Sequence, residues 1–158
     1  MNSIVVVGIG NISKTDEGIG VRILRELCKF TGEFPSIDFV DLGSGGMGLL
    51  HTIARRTKAV IIDCAFMGKP PGTLSRFTPD QVATQKLTAG LSLHEGDVLS
   101  IIALSRKLGE APGEIVIFGI EPYSIDPGED LSISLEKNLG RYVSQIKEEL
   151  RKTLSTAH

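Results

Sequence analysis

Three stretches of this chain, Ile4-Val-Val-Val7, Ala59-Val-Ile-Ile62 and Glu114-Ile-Val-Ile-Phe-Gly-Ile120, are apolar with almost no alternation. A strand with one wet face alternates apolar and polar side chains, whereas a strand covered on both faces does not. The three runs therefore have to lie inside a sheet that carries a layer on either side. Helical patterns fall between them. Ile19, Ile23, Leu24, Leu27 and Cys28 recur at helical spacing, and Met47 to Arg56 repeats it with Met47, Leu50, Ile53 and Ala54 facing inward. Asp97 to Lys107 and Leu131 to Leu154 supply two more helices. Alternating strand and helix runs predict the α/β class: one three-layer α/β/α sandwich over residues 1–158, with a twisted, mostly parallel sheet. Ile37 to Leu42 reads as a further strand, and Pro79 confines Thr73 to Phe77 to an edge, giving one antiparallel edge strand. Thr78 to Leu93 has no clear period and reads largely as loop.

Composition narrows the function. A net charge of −2 offers no field for nucleic acid or an anionic membrane, so neither is expected as a partner. The two cysteines, Cys28 and Cys64, lack zinc-knuckle or CxxC spacing, which fits a reducing cytoplasm. The N-terminus enters a strand at once and has no signal-peptide pattern. No apolar run is long enough to span a bilayer.

The first strand breaks at Gly8-Ile-Gly-Asn11, and Thr15 or Asp16 can cap the helix that follows. Glu17 then sits in a first helical turn at the carboxyl end of a central strand, the edge where open α/β sheets bind ligands. Asp63 closes the run Ala59–Ile62 at the same edge. His94 lies in Ser92-Leu-His-Glu95, a capping-box pattern with Ser92 as N-cap, where the positive helix end favours a neutral, metal-binding imidazole. Each has a plainer explanation, since acids suit first turns and a histidine often caps or faces solvent. Together, one imidazole and two carboxylates make a borderline-metal site with open positions. Cys64 beside Asp63 has no evident base and reads as packing. The glycine loop also admits a Rossmann-like nucleotide module, with Asp38 and Asp41 near a ribose, but Ser13 stands where the dinucleotide fingerprint needs its third glycine.

Gly8-Ile-Gly-Asn-Ile12 with Thr15-Asp-Glu-Gly-Ile-Gly-Val21, Asp41-Leu-Gly-Ser-Gly-Gly-Met47, Val60-Ile-Ile-Asp-Cys-Ala65 with Pro71-Gly-Thr73, and His94-Glu-Gly-Asp-Val-Leu99 occur in this order. In that combination the chain resembles the nickel–iron hydrogenase maturation endopeptidases over nearly its whole length. The resemblance implies a twisted sheet sandwiched by helices and a peptidase that removes the C-terminal extension of a hydrogenase large-subunit precursor. It implies that Glu17, Asp63 and His94 are the catalytic and metal-contacting residues and that the nickel arrives with the substrate, with no organic cofactor. Gly43, Gly45 and Gly46 would let the substrate chain approach closely. The expected partner is the precursor itself, met by a monomer. A relative that binds the precursor without cutting it is the remaining alternative. Cys64 departs from the pattern, since a small apolar residue is more usual there.

Overall fold

The computed structural model describes residues 1–81, 92–93 and 97–156, with the backbone alone for Ser92, Leu93 and Asp97. The central sheet orders its strands β2–β1–β3–β6–β4. These are β1 (Ile4–Gly8), β2 (Ile37–Asp41), β3 (Lys58–Phe66), β4 (Leu74–Phe77) and β6 (Glu114–Ile120), and a two-residue strand β5 (Ser92–Leu93) pairs antiparallel with the end of β3. β2, β1, β3 and β6 run parallel, and β4 closes one edge antiparallel to β6. This is the expected α/β sandwich with its antiparallel edge.

Side-chain alternation along the buried strands feeds two cores. On one face Ile4, Val6, Val60, Ile62, Val116 and Phe118 pack with α1 (Ile19–Leu27) and the long α4 (Ile133–Thr156). On the other face Val5, Val7, Ala59, Ile61, Ile115 and Ile117 meet α2 (Met47–Ile53) and α3 (Asp97–Lys107). Both layers explain why the strand sequences show no polar alternation.

Several boundaries differ from the sequence expectation. β3 does not stop at Asp63 but runs on to Phe66, because β6 accompanies it as far as Cys64 and β5 pairs with Ala65 and Phe66. α2 ends at Ile53 rather than Arg56; Arg55 turns to φ 62°. Met47 is 53% exposed, while Leu49 takes the inward place. Ser92 belongs to β5 and α3 begins at Asp97, so Ser92 caps no helix and the capping-box argument for His94 fails. Residues 82–91, on which most of the expected loop falls, and His94 lie outside the described residues.

α4 is fastened to the sheet by a charged node. The Lys58 ammonium, nearly buried, donates to Glu149 Oε2 at 2.7 Å and Thr153 Oγ1 at 2.6 Å, and Arg76 Nε donates to Glu149 Oε1 at 2.7 Å. The Arg76 hydrogen bond, then those of Lys58, hold the Glu149 carboxyl down at about 2 against its ordinary 4.5. A lowered acid stabilises the fold above its unfolded value and loses that contribution as pH falls toward the folded one. Glu149→Gln is therefore expected to cost about 1–3 kcal/mol at neutral pH, since it removes charged hydrogen bonds from a buried ammonium. Calorimetry should show the gap to wild type shrinking below pH 4.5 and closing near pH 2. A gap independent of pH would place the cost in packing instead.

Candidate active site

Glycine packing carries the first acid to the sheet edge. A Cβ on Gly20 would lie 2.3 Å from the Ile62 carbonyl oxygen, and one on Gly10 would lie 2.2 Å from that of Glu17. Only glycine permits such approach. The glycine loop after β1 is thus filled by the protein's own backbone, with Ile9 N–H donating to Ile62 O and Gly10 N–H to Gly43 O. Asp38 accepts from Arg56 Nη1 at 2.5 Å and from Asn2, and Asp41 accepts from Gly43 N and Arg25. The acids considered for a ribose and the loop considered for a phosphate are committed to the fold.

Glu17 lies in a 3₁₀ turn, Thr15–Gly18, that precedes α1. Lys14 holds the N-cap position without a side-chain cap bond, so neither Thr15 nor Asp16 acts as the expected cap. Glu17 is 7% exposed, with the Lys14 ammonium 3.9 Å from Oε2. Asp63 is fully buried, paired with Gly119 of β6 one residue beyond the end of β1's ladder with β3, and its Oδ1 accepts the Cys64 N–H at 2.8 Å. By alternation it shares the face of Ile61 and Ala65, the face that α2 and α3 cover.

Cys64, next to Asp63, is buried. Burial pushes its thiol far above the ordinary value, and the negative charges of Asp63, Glu17, Asp16 and Glu121 add to the rise, in that order. Such a thiol stays protonated, in keeping with packing. Among the described residues no three His, Cys, Asp or Glu side chains gather into a metal-holding group. The third predicted member, His94, follows Leu93, whose backbone pairs with Ala65 two residues beyond Asp63.

The loop after β2 has Gly43, Gly45 and Gly46 at φ 54°, 85° and 75°. A Cβ at Gly43 or Gly46 would meet nothing within 4 Å, so this backbone faces open space.

Two acids take supporting roles that the sequence does not mark. Asp16, fully buried, accepts Tyr123 N–H, Ser124 N–H and the Ser132 hydroxyl on Oδ2 and Ser132 N–H on Oδ1. With Thr15 Oγ1 donating to Ser124 O and Asp126 O, it ties the Glu17 turn to the 122–132 loop. Glu121 accepts Met67 N–H and Lys69 N–H on Oε1, fixing the turn that leaves β3. The signal for Glu121 is the one that marked Asp63, an acid directly after a buried strand run; Asp16 has no such mark beside its neighbour.

The fold is that of solved endopeptidases. It superposes on the hydrogenase maturating endopeptidase HybD of Escherichia coli with a TM-score of 0.81 and 30% identity, covering 97% of this chain and 94% of that one. The maturation protease HybD of Thermococcus kodakarensis gives a TM-score of 0.73 at 25% identity, over 95% and 99% of the two chains. In sequence the chain is 30% identical to the hydrogenase 2 maturation protease of Escherichia coli K12 over 151 residues, 95% of this chain and 92% of the relative. It is 31% identical over 123 residues, 78% of this chain, to the hydrogenase expression/formation protein HupD of Thiocapsa roseopersicina; that stretch is only 56% of HupD's length. The HycI hydrogenase maturation protease family model matches residues 21–150. The chain belongs to the hydrogenase maturation protease family.

Proposed function

We propose that this protein is a peptidase that removes the C-terminal extension of a nickel–iron hydrogenase large-subunit precursor after nickel insertion, with Glu17, Asp63 and His94 meeting the substrate's nickel. The observation that carries this reading is the burial of Glu17 and Asp63 at the carboxyl edge of the sheet, from a turn and a strand otherwise unrelated in sequence. The family's own name and the relative it covers over 92% of its length support the reaction class. Two carboxylates and an imidazole suit a borderline divalent cation and leave positions for ligands that the precursor brings. A precursor without nickel leaves the set incomplete, so loading is checked before the chain is cut. Bound there, the substrate's ion can orient the tail and polarise the scissile carbonyl. Gly43 and Gly46 offer backbone against which an extended chain can lie. The same reading has the protein act as a monomer in the cytoplasm.

Purified protein incubated with nickel-loaded and nickel-free precursor tests this directly. The loaded form is expected to lose its tail by mass spectrometry and the empty form to stay intact. Binding of loaded precursor without cleavage would favour the non-cutting alternative, and equal cleavage of both forms would remove the metal check. Glu17→Gln keeps shape but removes charge, and is expected to lower cleavage of loaded precursor by about tenfold. Full activity in that variant would take Glu17 out of the site.

A further inference from the structure

Among the described residues only two other than glycine take a positive φ, Thr15 at 48° and Arg55 at 62°. Arg55 lies just past the end of α2, where a left-handed residue is an ordinary way to stop a helix. Thr15 has no such reason. It opens the turn that carries Glu17, and a β-branched side chain rarely adopts that backbone region. Such a conformation persists where its surroundings over-determine it, and it gathers at ligand sites.

The surroundings here are the 122–132 loop, which the Asp16 carboxylate holds against the turn. Thr15 N–H donates to Gly128 O at 2.9 Å, and Gly128 N–H donates to Ser13 O at 2.9 Å. Thr15 Oγ1 lies 2.7 Å from Ser124 O and 3.0 Å from Asp126 O, so its proton has an acceptor on the loop either way. A Cβ on Gly128 would come within 2.8 Å of Thr15 Cγ2, so the methyl fills space that only glycine leaves. Amide, hydroxyl and methyl are each set by one loop. A 3₁₀ turn has three residues per circuit, so successive side chains leave it about 120° apart. Thr15 fixes how the chain enters the turn, and Asp16 is turned to the loop. Glu17 is therefore sent another way, into its buried place where the turn packs on β3.

We propose that Thr15 is a positioning residue: the loop holds it in a strained conformation, and that conformation aims the Glu17 carboxylate at the substrate's nickel. The proposal rests on the proteolytic reading and adds to it a residue that does not touch the substrate. The hydroxyl opposes the strain. Without it the backbone relaxes toward negative φ and swings the residues that follow, and a misplacement of about 1 Å is enough to slow a reaction.

Cleavage of nickel-loaded precursor by the full chain tests this. Thr15→Val keeps the branch and the strain but lacks the hydroxyl, and is expected to lower kcat/KM about five- to tenfold. Thr15→Ser restores the hydroxyl and should cut within about twofold of wild type. Thr15→Gly also lacks the hydroxyl but accepts φ 48° without strain, so it should lose less than Thr15→Val. In a Glu17→Ala background there is no carboxylate to aim, and adding Thr15→Val should cost less than about twofold more. Gly128→Ala pushes on the methyl from the loop side and is expected to act as Thr15→Val does, which decides the matter if the valine variant does not fold. Wild-type cleavage by both of these variants, no rescue by serine, equal losses with glycine and valine, or an undiminished effect without Glu17 would overturn the proposal; Thr15 would then only fasten the loop. If wild-type protein leaves loaded precursor uncut, the proteolytic reading fails on its own. Crystal structures of wild type and Thr15→Val then decide the positioning: the Glu17 carboxylate is expected to move by about 1 Å or more, and an unmoved carboxylate would overturn it.

Discussion

Asp63→Asn is expected to reduce cleavage of a nickel-loaded precursor by about a hundredfold or more, the scale on which lost metal contacts act. The amide is nearly isosteric. Its oxygen can keep the 2.8 Å hydrogen bond from the Cys64 N–H, so the strand has no reason to move. What disappears is the charge of a fully buried side chain. In the proposed reading that charge serves the substrate's metal, so its loss is expected to fall on the reaction more than on the fold. The melting temperature should accordingly stay within a few degrees of wild type. The effect should exceed that of Glu17→Gln, because Glu17 lies in a turn within reach of Lys14, whereas Asp63 is set in the middle of a paired strand. Retained processing in the Asp63→Asn variant, with nickel shown to be present, would dissociate the acid from the reaction.

The layered α/β architecture was legible in the sequence because burial on both faces leaves a crude mark: strands such as Val5–Val7 and Ala59–Ile62 without polar interruption. The candidate acids were legible for a related reason, since a charge closing such a run stands out. Less visible was everything set by tertiary pairing. Asp63 sits inside β3 because β5 and β6 extend the ladder past the apolar run, and no local propensity records a partner. The glycines after β1 looked like room for a ligand, yet that room is taken by the backbone of Glu17. Spacing alone does not separate a glycine that admits a phosphate from one that admits a neighbouring helix. Ser92 and Glu95 have the spacing of a capping box, but Ser92 was drawn into a strand. Asp16, beside Glu17 and of the same charge, stands where a cap is expected and instead holds a loop more than a hundred residues away.

That difference between neighbours sets up the opposite expectation for Asp16→Asn: a large loss of stability rather than chemistry. The carboxylate accepts on both oxygens, from Ser132 N–H on one and from Tyr123 N–H, Ser124 N–H and the Ser132 hydroxyl on the other. An amide has one acceptor and presents N–H on the other side. Turned one way it faces Ser132 N–H with a donor; turned the other way it faces the two loop amides. At least one partly buried backbone donor loses its partner, and charge-assisted bonds become neutral. The cost is expected to be about 2–4 kcal/mol, which for a chain of this size lowers the melting temperature by about 5–15 °C. Hydrogen exchange should quicken at Tyr123, Ser124 and Ser132 first, since these amides depend on the carboxylate, while Val5–Val7 in the sheet keeps its protection. A variant that melts with wild type and exchanges those amides at the same rate would show that the loop is held by Thr15 and by its own turns, and that Asp16 is dispensable to it.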